Sequence, residues 1–195
     1  MKYILLSVLL AGICACSSKP LDVNYYVLSP PRAVEQLGDT NKTQQVTVNK
    51  IVIADYLKQS SIAMQIGENK MYFSRQDVWA ESLQGAISNA MLDDLNQSPN
   101  TQYHNDQMPD SNVTGTTLTL HIEHFHATDK STVIASGRYW LVNQGNELKI
   151  AKPFFFSLAL EQDGYSHAIT KQRQLLRLLA QDIQHEVDRL YETIK

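Results

Sequence analysis

The chain is poor in cysteine, lacks a long apolar run and concentrates no basic charge. Only 2 of its 195 residues are cysteine, Cys14 and Cys16, and both stand near the start. The remainder therefore carries no disulfide framework, no thiolate metal cluster and no cysteine nucleophile. No apolar stretch reaches the ~20 residues that a membrane-spanning helix takes. With 17 Lys and Arg against 20 Asp and Glu, the formal net charge is −3. Clustered cations are needed against phosphates, so general nucleic-acid binding is excluded. The 8 glycines form no phosphate-cradling loop, and no Gly-x-Ser-x-Gly elbow holds a serine nucleophile. Repeats, heptads and low-complexity segments are absent as well. What remains, 43% hydrophobic and 19% charged residues, is the composition of a globular chain of one-domain length.

The amino-terminal residues speak first of address. Met1-Lys2 supplies a positive start and Tyr3 to Ala15 is apolar and small, which reads as a secretory signal peptide over 1–15. The segment Leu10-Ala-Gly-Ile-Cys-Ala-Cys-Ser-Ser18 has the form of a bacterial lipobox. Cys16 has aliphatic Ile13 three positions before it and small Ala15 adjacent, whereas Cys14 would place bulky Ile13 in the small-residue position. Cys16 is thus the expected lipid attachment site, carrying covalent acyl and diacylglycerol chains, with no other cofactor. An ordinary cleaved signal with incidental cysteines is the alternative. Two or more acyl chains give stable anchoring, each buried methylene contributing about 0.8 kcal/mol. Ser17, not Asp, follows Cys16, so the expected location is the periplasmic face of the outer membrane. Residues 16–24 read as a tether and 25–195 as a single domain.

Within that domain, Tyr25 to Leu28 reads as a strand, followed by a polar loop to about Gln45 and a β-branched strand over Val46 to Ala54. Ser61 to Ile66 and Lys70 to Phe73 form an expected hairpin about Gly67-Glu-Asn69. Ser74-Arg-Gln-Asp77 has capping-box spacing ahead of a helix in which Trp79, Leu83, Ile87, Ala90, Met91 and Leu95 share one face. Asn96 to Asn112 reads as a polar loop. Strands follow over Thr116–Phe125 and Thr132–Val142, then a turn over Asn143–Asn146, a short strand over Glu147–Ile150, and another over Phe154–Leu160 opened by Pro153. A helix from Tyr165 to Ile194 carries the stripe Leu176, Leu179, Ile183, Val187, Leu190 and Ile194. The expected class is α+β: a largely antiparallel mixed sheet with two helices packed on one face.

The chemistry-bearing residues do not assemble into a reaction. His121, His124 and His126 crowd one strand, but zinc needs further ligands held close, so the expectation is no metal site. Asp93-Asp94 point about 100° apart on a helix and read as a solvated face, not an acid–base pair. Tyr25, Tyr26, Tyr56, Leu57 and Trp79 stand out as either core or partner-interface residues.

Ordered along the chain, several short motifs carry a resemblance. After the lipobox, Tyr25-Tyr-Val-Leu28 resembles the Tyr-Tyr-x-Leu opening of the PqiC (YmbA) lipoprotein family. The strand Val46–Leu57 resembles the family's strand ending in a Tyr-Leu pair, with Ala54 where Pro is common. Val78-Trp-Ala-Glu-Ser-Leu83, Ser136-Gly137, Lys152-Pro-Phe154 and Gln162-Asp-Gly-Tyr165 are similar to further family motifs in the same order. The resemblance implies a non-catalytic auxiliary lipoprotein of an MCE-type intermembrane lipid transport system. It further implies a homo-oligomer that docks a PqiB-like MCE-domain tunnel protein at the outer membrane. A lipid-anchored envelope hydrolase and a stand-alone lipid carrier are the alternatives, the first requiring a polar catalytic cluster and the second an apolar cavity.

Overall fold

The computed structural model describes residues 22–29, 42–105, 115–143 and 148–194. The leader, Cys16, most of the tether and the turn after Asn143 lie outside the described residues. Eight strands form one sheet: β1 Asn24–Tyr26, β2 Gln44–Ile53, β3 Ser61–Gln65, β4 Met71–Trp79, β5 Thr101–Asn105, β6 Thr116–Thr128, β7 Thr132–Asn143 and β8 Leu148–Ala159. Two helices, α1 Leu83–Leu95 and α2 Tyr165–Ile194, pack against it and each other, and a 3-10 turn occupies Asp55–Leu57. The strand order is β1-β4-β3-β6-β2-β5, with β7 on β6 and β8 outermost on β7.

Strand β6 organises the sheet. The long antiparallel β7 takes one of its edges along the full length. The other edge is divided, with β2 parallel along Thr116–Ile122 and β3 parallel at Ala127–Thr128. The α+β class with a mixed sheet and two helices is thus observed, and the longest ladders, β6 to β7 and β7 to β8, are antiparallel.

Two bulges shift the side-chain phase, because one extra residue moves everything beyond it to the opposite face. In β2, Val48 faces Leu118 and Lys50 faces Thr119, leaving Asn49 over. Inward residues accordingly change from Val46 and Val48 to Ile51 and Ile53, all buried. In β6, Ile122 faces Gly137 and His124 faces Ser136, leaving Glu123 over. Leu118, Leu120 and Ile122 point to the helices before the bulge, and Phe125 does so after it.

The α2 stripe behaves as its spacing requires. Leu176, Leu179, Ile183, Val187 and Leu190 are at most 1% exposed, each contributing roughly 1.5–3 kcal/mol by burial. Between the helices, buried Arg173 grips Asp94 with both terminal nitrogens, Nη2 to Oδ1 at 2.7 Å, and donates from Nε to Ser29 Oγ at 3.0 Å. Asp94, expected on a solvated face, is instead buried, 5% exposed, because α2 supplies its counter-charge. Gln184 Nε2 donates to the Asp94 and Leu95 carbonyls at 3.1 and 2.9 Å, satisfying the end of α1. At the sheet's edge Lys152 reaches Asp182 at 2.7 Å and Glu186 at 2.9 Å, and Tyr139 donates to Asp182 at 2.8 Å. Burial pulls the Lys152 ammonium down in pKa, but the two carboxylates outweigh it and the net shift is upward.

Three local expectations are corrected. Ser74 to Asp77 caps no helix. Ser61 faces Val78 and Ala63 faces Phe73, so these residues form a wide bulge within β4. Ser74 Oγ accepts from the Asp77 and Gln76 backbone and donates to Asp77 Oδ2 at 2.8 Å, so the capping-type bonds form but close a strand irregularity. Trp79 ends that strand, and Ser82 caps α1, accepting from Gly85 N at 3.5 Å. Second, Thr101–Asn105 is a strand, not loop, parallel to β2. The Asn96 side chain seats it, accepting from Tyr103 N at 2.9 Å and donating to Tyr103 O at 3.0 Å. Third, β8 is one strand running through Pro153, which is tolerated because the missing N–H falls on an edge strand.

Candidate docking surfaces

The five aromatic and aliphatic residues singled out in the sequence separate. Leu57 and Trp79 are core, 2% and 6% exposed. Tyr26 is half-buried, donating to Asp77 Oδ1 at 3.2 Å with its ring 6.1 Å from that of Tyr165. Tyr56 is also half-buried, on the 3-10 turn. Tyr25 is 71% exposed.

Tyr56 closes over the histidine strand. The β6 bulge puts His121, His124 and His126 all on the sheet face turned away from the helices. There His126 Nδ1 lies 2.9 Å from Tyr56 Oη and its Nε2 3.3 Å from Gln65 Oε1, while Gln65 donates to Glu68 O at 3.0 Å. A neutral His126 protonated at Nε2 donates to Gln65 Oε1, and the single Tyr56 hydroxyl proton is shared between His126 Nδ1 and the Glu123 carbonyl, 3.2 Å away. Burial first, and His124 second, lower the His126 pKa to about 4. Burial raises Tyr56 to about 12. His124 instead pairs with Ser136 Oγ at 2.8 Å, its ring 5.7 Å from that of His126. Among the described residues no three His, Cys, Asp or Glu side chains converge to hold a metal ion.

This outward sheet face is covered by neither helix. It carries half-buried Trp140 and Ile134, exposed Arg138 and Phe155, the latter 68% exposed, and Lys50 at the neighbouring β2 bulge. Across β6, β7 and β8 the only carboxylate is Glu123. Sequence reading missed Trp140 as a surface residue. The available signal was alternation, since Tyr139 and Leu141 point inward and Trp140 must therefore point out.

A second open surface is a groove of about 420 Å³ between the segment Tyr25–Leu28 and the first half of α2. Ser166, Thr170, Gln174 and Arg177, spaced to share a helix face, form one wall, and Leu28 and Ile169 floor it.

The structure is of one class, an α+β domain presenting an open sheet face and a helix-flanked groove. Residues 26–184 match the family of ABC-type transport auxiliary lipoprotein components, and the chain belongs to that family. It is 25% identical to the intermembrane transport lipoprotein PqiC of Escherichia coli (strain K12) over 191 residues, covering 97% of this chain and 100% of the relative. The same identity and coverage hold for the PqiC of Shigella flexneri. Two solved structures share the fold. A crystal structure of an uncharacterized protein has TM-score 0.72 at 22% identity, over 85% of this chain and 99% of that one. Protein XCC0632 of Xanthomonas campestris has TM-score 0.63 at 10% identity, over 82% and 92%.

Proposed function

We propose that this lipoprotein is the outer-membrane component of an MCE-type intermembrane lipid transport system, holding the periplasmic tunnel protein at the outer membrane without catalysing a reaction. The carrying observation is the match to PqiC along the whole of both chains. The lipobox at Cys16 supports the anchoring half of the reading. The open, carboxylate-poor sheet face around Trp140 and Arg138 supports the docking half, since half-buried aromatics beside arginine are the common anchors of protein interfaces. Assembly as a homo-oligomer around the tunnel belongs to the same proposal.

Affinity purification of the tagged, lipidated protein from detergent-solubilised envelopes tests it. An MCE-domain protein should co-purify at substantial stoichiometry, and Arg138→Glu with Trp140→Ser should reduce that recovery at unchanged expression and stability. Failure to recover any MCE protein, with cross-linking equally blank, would overturn the docking role.

A further inference from the structure

The groove between β1 and α2 lies where the tether enters the domain, and its surface chemistry is graded. Its floor is apolar, Leu28 and Ile169 being 2% and 6% exposed. Its rim carries Tyr25 and Val27, 71% and 47% exposed. These are two of the five large exposed hydrophobics among the described residues. The lining contains no carboxylate. Arg173 is neutralised by Asp94, while Arg177 is exposed at the mouth and makes no ion pair among the described residues. The hydroxyls of Ser166 and Thr170 stand along the same wall.

We infer that this groove is the domain's contact with the bilayer surface, and that it seats a phospholipid, phosphate toward Arg177 and glycerol and upper acyl carbons against Tyr25, Val27 and Leu28. The inference rests on the Cys16 anchor in the proposed function. Tyr25 follows Cys16 by nine residues, and at ~3.3–3.6 Å per extended residue its backbone stays within about 30 Å of the lipidated residue. Tyrosine places an apolar ring and a polar hydroxyl at the same boundary that a bilayer interface presents. Arginine matches a phosphate with paired donors. A groove with these groups lies within reach of the membrane whenever the anchor is inserted.

The test uses the lipidated full-length protein carrying Val27→Cys, labelled with the environment-sensitive dye NBD. Transfer of diacylglycerol to the Cys16 sulfur forms a thioether and consumes that thiol, so the new thiol is the one that reacts. Ser157→Cys, exposed on β8, is the distant control. Protein is reconstituted into phosphatidylethanolamine–phosphatidylglycerol vesicles and recovered by flotation. The expected result is a blue shift and protection from iodide at position 27, neither at position 157, and loss of both when Arg177→Glu is added. Floated protein with position 27 as wet as position 157 overturns the groove assignment while leaving the anchor intact. Protein that fails to float overturns the anchor and the inference with it. A shift at position 27 that grows with protein density in the vesicles at a fixed amount of lipid assigns the groove to a second copy of the chain and overturns lipid contact.

Discussion

Gly137 shows how a single residue serves the sheet. A Cβ at this position, opposite Ile122 and beside the bulge at Glu123, would lie 2.0 Å from the His121 carbonyl oxygen. The neighbour is backbone and cannot swing aside. Gly137→Ala should therefore lower unfolding stability by roughly 2–4 kcal/mol, read as a drop in the urea midpoint without a change in slope. His126 gives a prediction in pH. Its folded pKa of about 4 lies below the ordinary histidine value, so the unfolded chain binds the proton more readily. The stability held by the neutral ring is fully present above about pH 6.5 and is lost as pH falls toward 4, on the order of 2–3 kcal/mol. Urea titrations at pH 7 and pH 4.5 should show a smaller difference for His126→Gln than for the parent chain. An unchanged difference would mean that the ring protonates freely in the folded state.

At the scale of elements, polar groups decide how the apolar stripes dock. The Asp94–Arg173 pair joins α1 to α2 in a buried position where either charge alone would lack a partner. Arg173→Ala should cost about 3–5 kcal/mol because the Asp94 carboxylate is left uncompensated. Combining it with Asp94→Ala should recover much of that loss, and thermal unfolding of the two variants measures it. Additive losses would show that the pair acts only through packing. The sheet's other end follows the same logic: Lys152 and Tyr139 converge on Asp182 and fasten α2 across β7 and β8. The Lys152-Pro-Phe154 motif is thereby explained as structure. Lysine ties the helix, proline sits outward on the edge strand, and Phe154 stacks 6.0 Å from Phe156.

For the molecule as a whole, placement is the function proposed, so the anchor and the surfaces should be separable from the fold. Among the described residues the core runs from Leu28 to Leu190. Cys16→Ala should abolish incorporation of labelled palmitate and leave the chain at precursor size on a gel, whereas Cys14→Ala should be acylated and processed like the parent. Labelling lost with Cys14 and kept without Cys16 would reverse the assignment.

Much of this was legible in one dimension, and the division has a physical basis. The α2 boundaries, Tyr165–Ile194, follow from a stripe at steps of three and four, and the β6–β7 pair from alternating apolar residues around a short connection. These are local periodicities, and burial of a long stripe outweighs any competing local preference. What the sequence left undetermined depended on partners distant in the chain. β5 became a strand because Asn96 seated it beside β2, and Ser74–Asp77 became a bulge because β3 pairs on both sides of it. The three histidines share a face, Trp140 belongs to an open surface, and Tyr25 rims a groove with Arg177 only after two bulges and the packing of α2 fix which side of the sheet is covered. Patterns of period 2 and 3.6 state which residues avoid water, but the extra residue in a bulge and the choice of strand neighbour are settled by backbone hydrogen bonds between segments far apart in the chain.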